Sequence, residues 1–192
     1  MRRLIFGFLF LCVSLYANDI FYASSVKDLY ESQTSSSPKG RVLPTSKVEV
    51  LGEVGNKYKV KISGYAKEGV ENALYFTYKN RILVAGLAKD SKFEVISSKK
   101  VNDSNFSDFK ELEIVAFVTK DDLSKDLNSL YAKAQELYSA NCGICHGAHD
   151  KKEFTANAWP SVLKSMLSRT AISKEESYLV TQYLQKHSKD ME

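Results

Sequence analysis

The chain has 192 residues, 44% of them hydrophobic and 26% charged, with three cysteines and a formal charge of +4. That length suits one domain or two small ones. The modest charge gives no electrostatic case for nucleic acid or an anionic membrane surface, where a strong basic excess is expected.

The chain opens MRRLIFGFLFLCVSLYANDIF. Arg2 and Arg3 precede an almost wholly apolar run from Leu4 to Leu15, and small Ala17 stands before polar Asn18 and Asp19. That order is a secretory signal peptide over residues 1–17, which predicts export to the periplasm. The run falls short of the roughly 20 residues of a membrane span. An uncleaved anchor is the alternative, because Leu15 occupies the −3 position where a small residue is expected. Cys12 belongs to the apolar run, since Leu11 stands where a lipidation site would want Gly or Ala. Removal of residues 1–17 leaves two cysteines and a formal charge of +2.

Residues 18–120 read as β structure. Lys47-Val48-Glu49-Val50 and Tyr58-Lys59-Val60-Lys61-Ile62 alternate polar and apolar, the period of half-buried strands. Gly52, Gly55-Asn56 and Ser63-Gly64 mark turns. The stretch from Gly40 to Tyr65 looks like a bacterial SH3-like module. The expectation is a small all-β SH3-like barrel with loops at Ser35–Pro38 and Ser97–Asp108, ending near Thr119–Asp122. This region has no histidine and no cysteine. A docking surface, or a packing partner for the C-terminal region, is therefore expected here.

Residues 121–192 carry helical periodicity. From Leu123 to Asn141, apolar residues including Leu127, Leu130, Tyr131, Ala134, Leu137 and Tyr138 recur at three and four. A second helix begins at Trp159-Pro160, where proline suits the first turn, with Val162, Leu163, Met166 and Leu167 on one face. A third begins at Ser173, with Glu176 completing a capping box. The expected fold class is α+β in two domains, the second a compact all-α cytochrome.

Between the first two helices lies NCGICHGAHD, residues 141–150. A zinc site would need two ligands beyond Cys142 and Cys145, from His146, His149 or His187; histidines so close to the cysteines are crowded for a tetrahedron, and no second CxxC exists. A thioredoxin-like dithiol would follow a strand in a βαβ pattern, and here a helix precedes it. C-x-x-C-H is also the attachment signature of c-type haem. Cys142 and Cys145 would form the thioethers, and His146 would ligate iron from the proximal side. Export agrees with this reading, so one covalent haem c is expected. For the distal position the candidates are Met166, His187, Met191 and His149. Met166 is preferred, being on the inward face of the middle helix. Without a haem, a methionine on an apolar stripe is ordinary packing. His149 is too near His146, Met191 sits at a chain end, and His187 reads as a solvated residue near a helix dipole. An open iron is the remaining alternative.

CGICHGAHDKKEFTANAWPSVLKSM resembles the C-terminal monohaem domain of the TorC-type cytochrome c subunit of bacterial trimethylamine N-oxide reductase systems. CxxCHG, the run Phe154-Thr155-Ala156-Asn157 with Trp159, Met166, and the closing YLQKHSKD carry the likeness. The resemblance implies an electron carrier, not an enzyme, whose acceptor is a periplasmic molybdenum reductase of N-oxides or S-oxides. Members usually begin with a membrane-anchored multihaem domain that oxidises quinol. With a single CxxCH, this chain is expected to take electrons from another cytochrome or a membrane quinol-oxidising complex. Lys151 and Lys152 are candidates to rim the haem edge and steer an acidic partner. The alternatives are a haem-based sensor or assembly module, and a five-coordinate haem that binds a gas. No catalytic residue is expected.

Overall fold

The computed structural model describes residues 19–144 and 147–191. The predicted signal peptide, Cys145 and His146 lie outside the described residues. Among the described residues ten strands run in chain order: β1 (Ile20–Ala23), β2 (Lys27–Leu29), β3 (Gly40–Val42), β4 (Lys47–Val54), β5 (Lys57–Lys67), β6 (Val70–Tyr75), β7 (Leu83–Leu87), β8 (Glu94–Lys100), β9 (Phe109–Thr119) and β10 (Leu123–Ser124). Three helices follow, α1 (Leu127–Cys142), α2 (Trp159–Met166) and α3 (Lys174–Lys186).

The spine is the antiparallel pair β5 and β9, in register from Lys57↔Thr119 to Lys67↔Phe109. Alternation puts Val60, Ile62 and Ala66 of β5 on one face with Leu112, Ile114, Ala116 and Val118 of β9, all buried. Both long strands share an edge between two partners. The first half of β5 pairs β4 and its end pairs β6. On its far side β9 pairs β8 and then, through Phe117, meets Tyr30 just after β2. Tyr30 and Phe117 exchange two backbone hydrogen bonds, each of 2.9 Å. Since β6, β7, β3 and β2 follow one another across the sheet, this bridge curls the sheet back onto its own spine.

Gly64 sits where β5 changes partner. A Cβ there would meet Leu74 Cβ at 2.9 Å and the Tyr75 carbonyl oxygen at 3.0 Å, so the missing side chain lets β6 close in. The hairpin from β4 to β5 turns on Gly55, whose φ of +62° is a conformation glycine adopts without steric cost.

An SH3-like barrel joined to a separate all-α domain is not what the chain forms. Among the described residues strand outweighs helix, 36% to 25%, in one large curled sheet with three helices. β10 pairs β1 immediately before α1 begins, and α3 side chains reach the sheet region at Leu83 and Thr45. α3 explains why: Leu179, Val180, Gln182, Tyr183, Leu184 and Gln185 are all buried, too many faces for a helix with a solvated side. Gln182 donates to the Leu83 carbonyl of β7 at 2.9 Å, and Tyr22 of β1 packs into the helical core. Apolar periodicity reveals one buried face of a helix but is blind to a second face covered by polar side chains.

Two local readings are also corrected. Ser97–Lys100 is the end of β8, not loop, because an edge strand carries polar side chains into solvent on its open side. α1 starts at Leu127, four residues after the first apolar position. Asp126 caps it, its side chain accepting from the backbone N–H of Asn128 and Ser129. The Ser173–Glu176 capping box of α3 forms in both directions.

Candidate functional site

Cys142 is the last residue of α1 and continues the buried stripe Leu130, Ala134, Tyr138 at four-residue intervals. The stripe therefore delivers its sulfur to the inner side of the helix end. Cys142 is half-buried, and burial pushes its thiol above its ordinary pKa, which favours an apolar thiol over a thiolate. α2 begins with Trp159, almost fully buried, and ends with Met166, half-buried. Pro160 stands in its first turn.

The two helix ends face one cleft. Tyr138, Trp159 and Leu163 form its apolar wall, and Cys142, His149 and Met166 line it with sulfur and imidazole. Asn141, Arg169 and Thr170 complete the rim. Asn141 accepts from the backbone N–H of Ala171 at 3.1 Å, which ties the segment after α2 to the end of α1.

The loop after the cysteine motif is pinned twice to this wall. The Tyr138 hydroxyl donates to the His149 carbonyl at 2.9 Å, and the Trp159 indole N–H donates to the Lys151 carbonyl at 3.0 Å. Rings add an edge-on cluster: His149 against Phe154 at 5.1 Å, Phe154 against Trp159 at 5.0 Å, and Tyr138 against Trp159 at 6.1 Å. His149 Nδ1 lies 2.9 Å from the Glu153 carboxylate.

The FTANAW run is a clamp. The Ala156 N–H donates to Asp190 at 2.7 Å, and its carbonyl accepts from Gln185 of α3 at 2.9 Å. The Asn157 side-chain oxygen accepts from the backbone N–H of Arg81 at 2.8 Å, fixing the loop to the β6–β7 connection.

Among the distal candidates, the structure brings Met166 and His149 into the cleft with Cys142. His187 lies elsewhere, between the rings of Tyr131 at 4.7 Å and Tyr183 at 4.6 Å, with Nδ1 2.8 Å from the Tyr183 carbonyl. It is half-buried rather than solvated, and burial holds its imidazole below the usual pKa. The Met191 sulfur lies against Asn80, in the β6–β7 connection. Lys151 points its ammonium over the Tyr183 ring, 5.6 Å from the centroid. Among the described residues lining the cleft, Arg169 is the cation, and sequence reasoning missed it because one arginine past a helix end carries no local signal.

A family model described as the TorC third cytochrome c domain matches residues 16–123. The chain belongs to this TorC-type cytochrome c family. The match covers the strand region and stops before the cysteine motif. Curated relatives reach further. The cytochrome c-type protein TorC of Escherichia coli K12 is 30% identical over 177 residues, 91% of this chain and 45% of the relative. The cytochrome c-type protein TorY of Haemophilus influenzae is 31% identical over 152 residues, 79% of this chain and 41% of the relative. This chain thus spans less than half the length of these relatives. No solved structure matches it. Among the described residues no helix is long and apolar enough to cross a membrane.

A cytochrome c family implies covalently bound haem c. The residues around the cleft fit such a group by chemistry: a thiol at a helix end, a thioether on the neighbouring helix, and aromatic and aliphatic walls. The cleft's volume of about 110 Å³ is small beside the roughly 300–1,000 Å³ of pockets for free ligands. A porphyrin exceeds this space, so the lining side chains would have to part for a haem to enter it.

Proposed function

We propose that this chain is a periplasmic electron carrier that holds one haem c through Cys142 and Cys145, with His146 as proximal and Met166 as distal iron ligand. Its acceptor is a molybdenum reductase of the N-oxide or S-oxide type. Its donor is another cytochrome or a membrane quinol-oxidising complex, and residues 1–17 direct export. The observation that carries this reading is the convergence of Cys142 and Met166, from two different helices, on one aromatic cleft. The names of the relatives, TorC and TorY cytochromes, support the choice of respiratory system.

The bound haem supplies a one-electron iron couple, and the protein sets its potential and access. A methionine paired with histidine raises the potential relative to two histidines. Trp159, Val162 and Leu163 keep water from that side of the cleft, which disfavours the extra positive charge of the oxidised state. Arg169 at the rim acts in the same direction and offers a cation to an acidic partner. Tyr138 and Trp159, by holding the carbonyls of His149 and Lys151, keep the loop after the motif in place.

The test is an absorption spectrum of the exported protein, ferric and ferrous, beside Met166→Ala. A low-spin ferric spectrum with the far-red methionine–iron charge-transfer band, lost in the variant, is expected. A high-spin ferric spectrum unchanged by the substitution would overturn the distal assignment and favour gas binding at an open iron.

A further inference from the structure

A second cavity, of about 380 Å³, lies at the seam between helices and sheet and shares no lining residue with the cleft of Cys142 and Met166. Tyr22 of β1, Tyr65 of β5, Phe76 and Tyr131 of α1 give it aromatic walls, and Thr45 and Lys186 meet there. Its volume falls in the range of pockets that enclose a small ligand.

The last residue of α3, Lys186, crosses the seam. Its ammonium donates to the Thr45 carbonyl at 3.0 Å and to the Thr45 hydroxyl at 2.8 Å, and lies 4.7 Å from the Phe76 ring centroid. An ammonium has three donors, and Thr45 takes two. Among the described residues no carboxylate comes within ion-pair distance of it. Of the other charged groups on the cavity, Lys47 pairs with Glu49 at 3.5 Å and Glu111 is exposed. Thr45 itself has φ +61°, a left-handed conformation that a β-branched residue rarely adopts. Its hydroxyl and its carbonyl both accept from the lysine, and the Tyr131 phenol also hydrogen-bonds its side chain. A sequestered ammonium with no counter-ion is costly unless an anion joins it.

We propose that this cavity binds a small monoanionic carboxylate, its carboxylate paired with Lys186 and its apolar body lying among Tyr22, Tyr65, Phe76 and Tyr131. Burial supports the assignment, because it holds the Lys186 ammonium down to a pKa of about 7, and an anion beside it would restore the charge. The site is independent of the haem reading.

The test uses the full-length holoprotein and two probes of one shape, benzoate and uncharged benzamide, titrated by calorimetry. Benzoate binds saturably and benzamide about tenfold more weakly, the margin of one charge-assisted contact. Lys186→Met brings benzoate down to the benzamide level, and Lys186→Arg retains the preference. Acetylation read by mass spectrometry places the site without any variant: benzoate slows modification of Lys186 several-fold and leaves the exposed Lys99 and Lys164 unaffected. No saturable binding, equal binding of the two probes, or protection spread evenly over the lysines overturns the proposal. Should Lys186→Met fail to fold, the probe comparison and the acetylation pattern on the unaltered chain decide it.

Discussion

Trp159, the first residue of α2, donates its indole N–H to the carbonyl of Lys151 across 3.0 Å. That bond joins the loop leaving the cysteine motif to the helix that ends in Met166. Trp159→Phe keeps an aromatic ring in the wall and leaves the Lys151 carbonyl without its donor. The expected loss is about 1 kcal/mol in urea denaturation. Trp159→Ala also opens a cavity, for a loss of about 3–5 kcal/mol, with a lower yield of haem-loaded protein by pyridine haemochrome absorbance. Equal losses for the two variants would mean that the hydrogen bond, not the ring, holds the loop.

Asn157 separates structure from chemistry. Its side-chain oxygen accepts from the Arg81 backbone N–H at 2.8 Å, and the residue is no part of the cleft wall. Asn157→Ala should cost about 0.5–1.5 kcal/mol and leave the absorption spectrum unchanged. Met166→Ala, by contrast, should alter the spectrum. A spectral change in Asn157→Ala would show that the FTANAW clamp positions the iron ligands as well as the loop.

Gly64 and Gly52 both lie in strands of one hairpin, yet only Gly64 is crowded. Alanine there would bring Cβ to 2.9 Å from Leu74 Cβ, while nothing lies within 4 Å of a Cβ at Gly52. Gly64→Ala should destabilise by about 1–3 kcal/mol because β5 and β6 must part. Gly52→Ala should be neutral or slightly stabilising. Thermal denaturation of the two variants side by side checks the account of how the sheet curls.

Lys186 makes stability depend on pH. Its folded pKa of about 7 lies below the unfolded value of 10.5, so between these the unfolded chain holds a proton that the folded chain has released. Stability from this group therefore rises with pH from about 7 upward, by at most about 1.4 kcal/mol per pH unit. The phenols of Tyr65 and Tyr131, raised by burial, work the other way above their ordinary value of 10, so the trend is clean between pH 7 and 9. Denaturation of the unaltered chain across that window should show a steeper rise than Lys186→Met. The subtraction removes Glu111, Lys47 and Tyr22, the remaining titratable groups at the cavity, since both chains carry them. Parallel slopes would mean that Lys186 stays solvated.

Much of this molecule is written locally. The alternation of Val48 and Val50, or of Val60 and Ile62, specifies strands because side chains on successive residues face opposite sides. Gly55 marks its turn, Pro160 a helix start, and Ser173 with Glu176 a cap, because each acts on backbone groups within a few residues. The spacing of Cys142, Cys145 and His146 points to haem attachment for the same reason. A buried polar face is less legible. Gln182, Gln185 and Lys186 look like the solvated side of α3, and they are the side chains that reach Leu83, Ala156 and Thr45.

By itself, then, the sequence determined the local elements and raised the expectation of a haem at the cysteine motif, since both signals need only short stretches of chain. Tertiary structure alone decided that the sheet closes through Tyr30 and Phe117, that the helices dock on it, and that Met166 rather than His187 or Met191 shares a cleft with Cys142. Those outcomes depend on contacts between residues far apart in the chain. Their partners are selected by packing and hydrogen-bond satisfaction across the whole core, which no local pattern encodes.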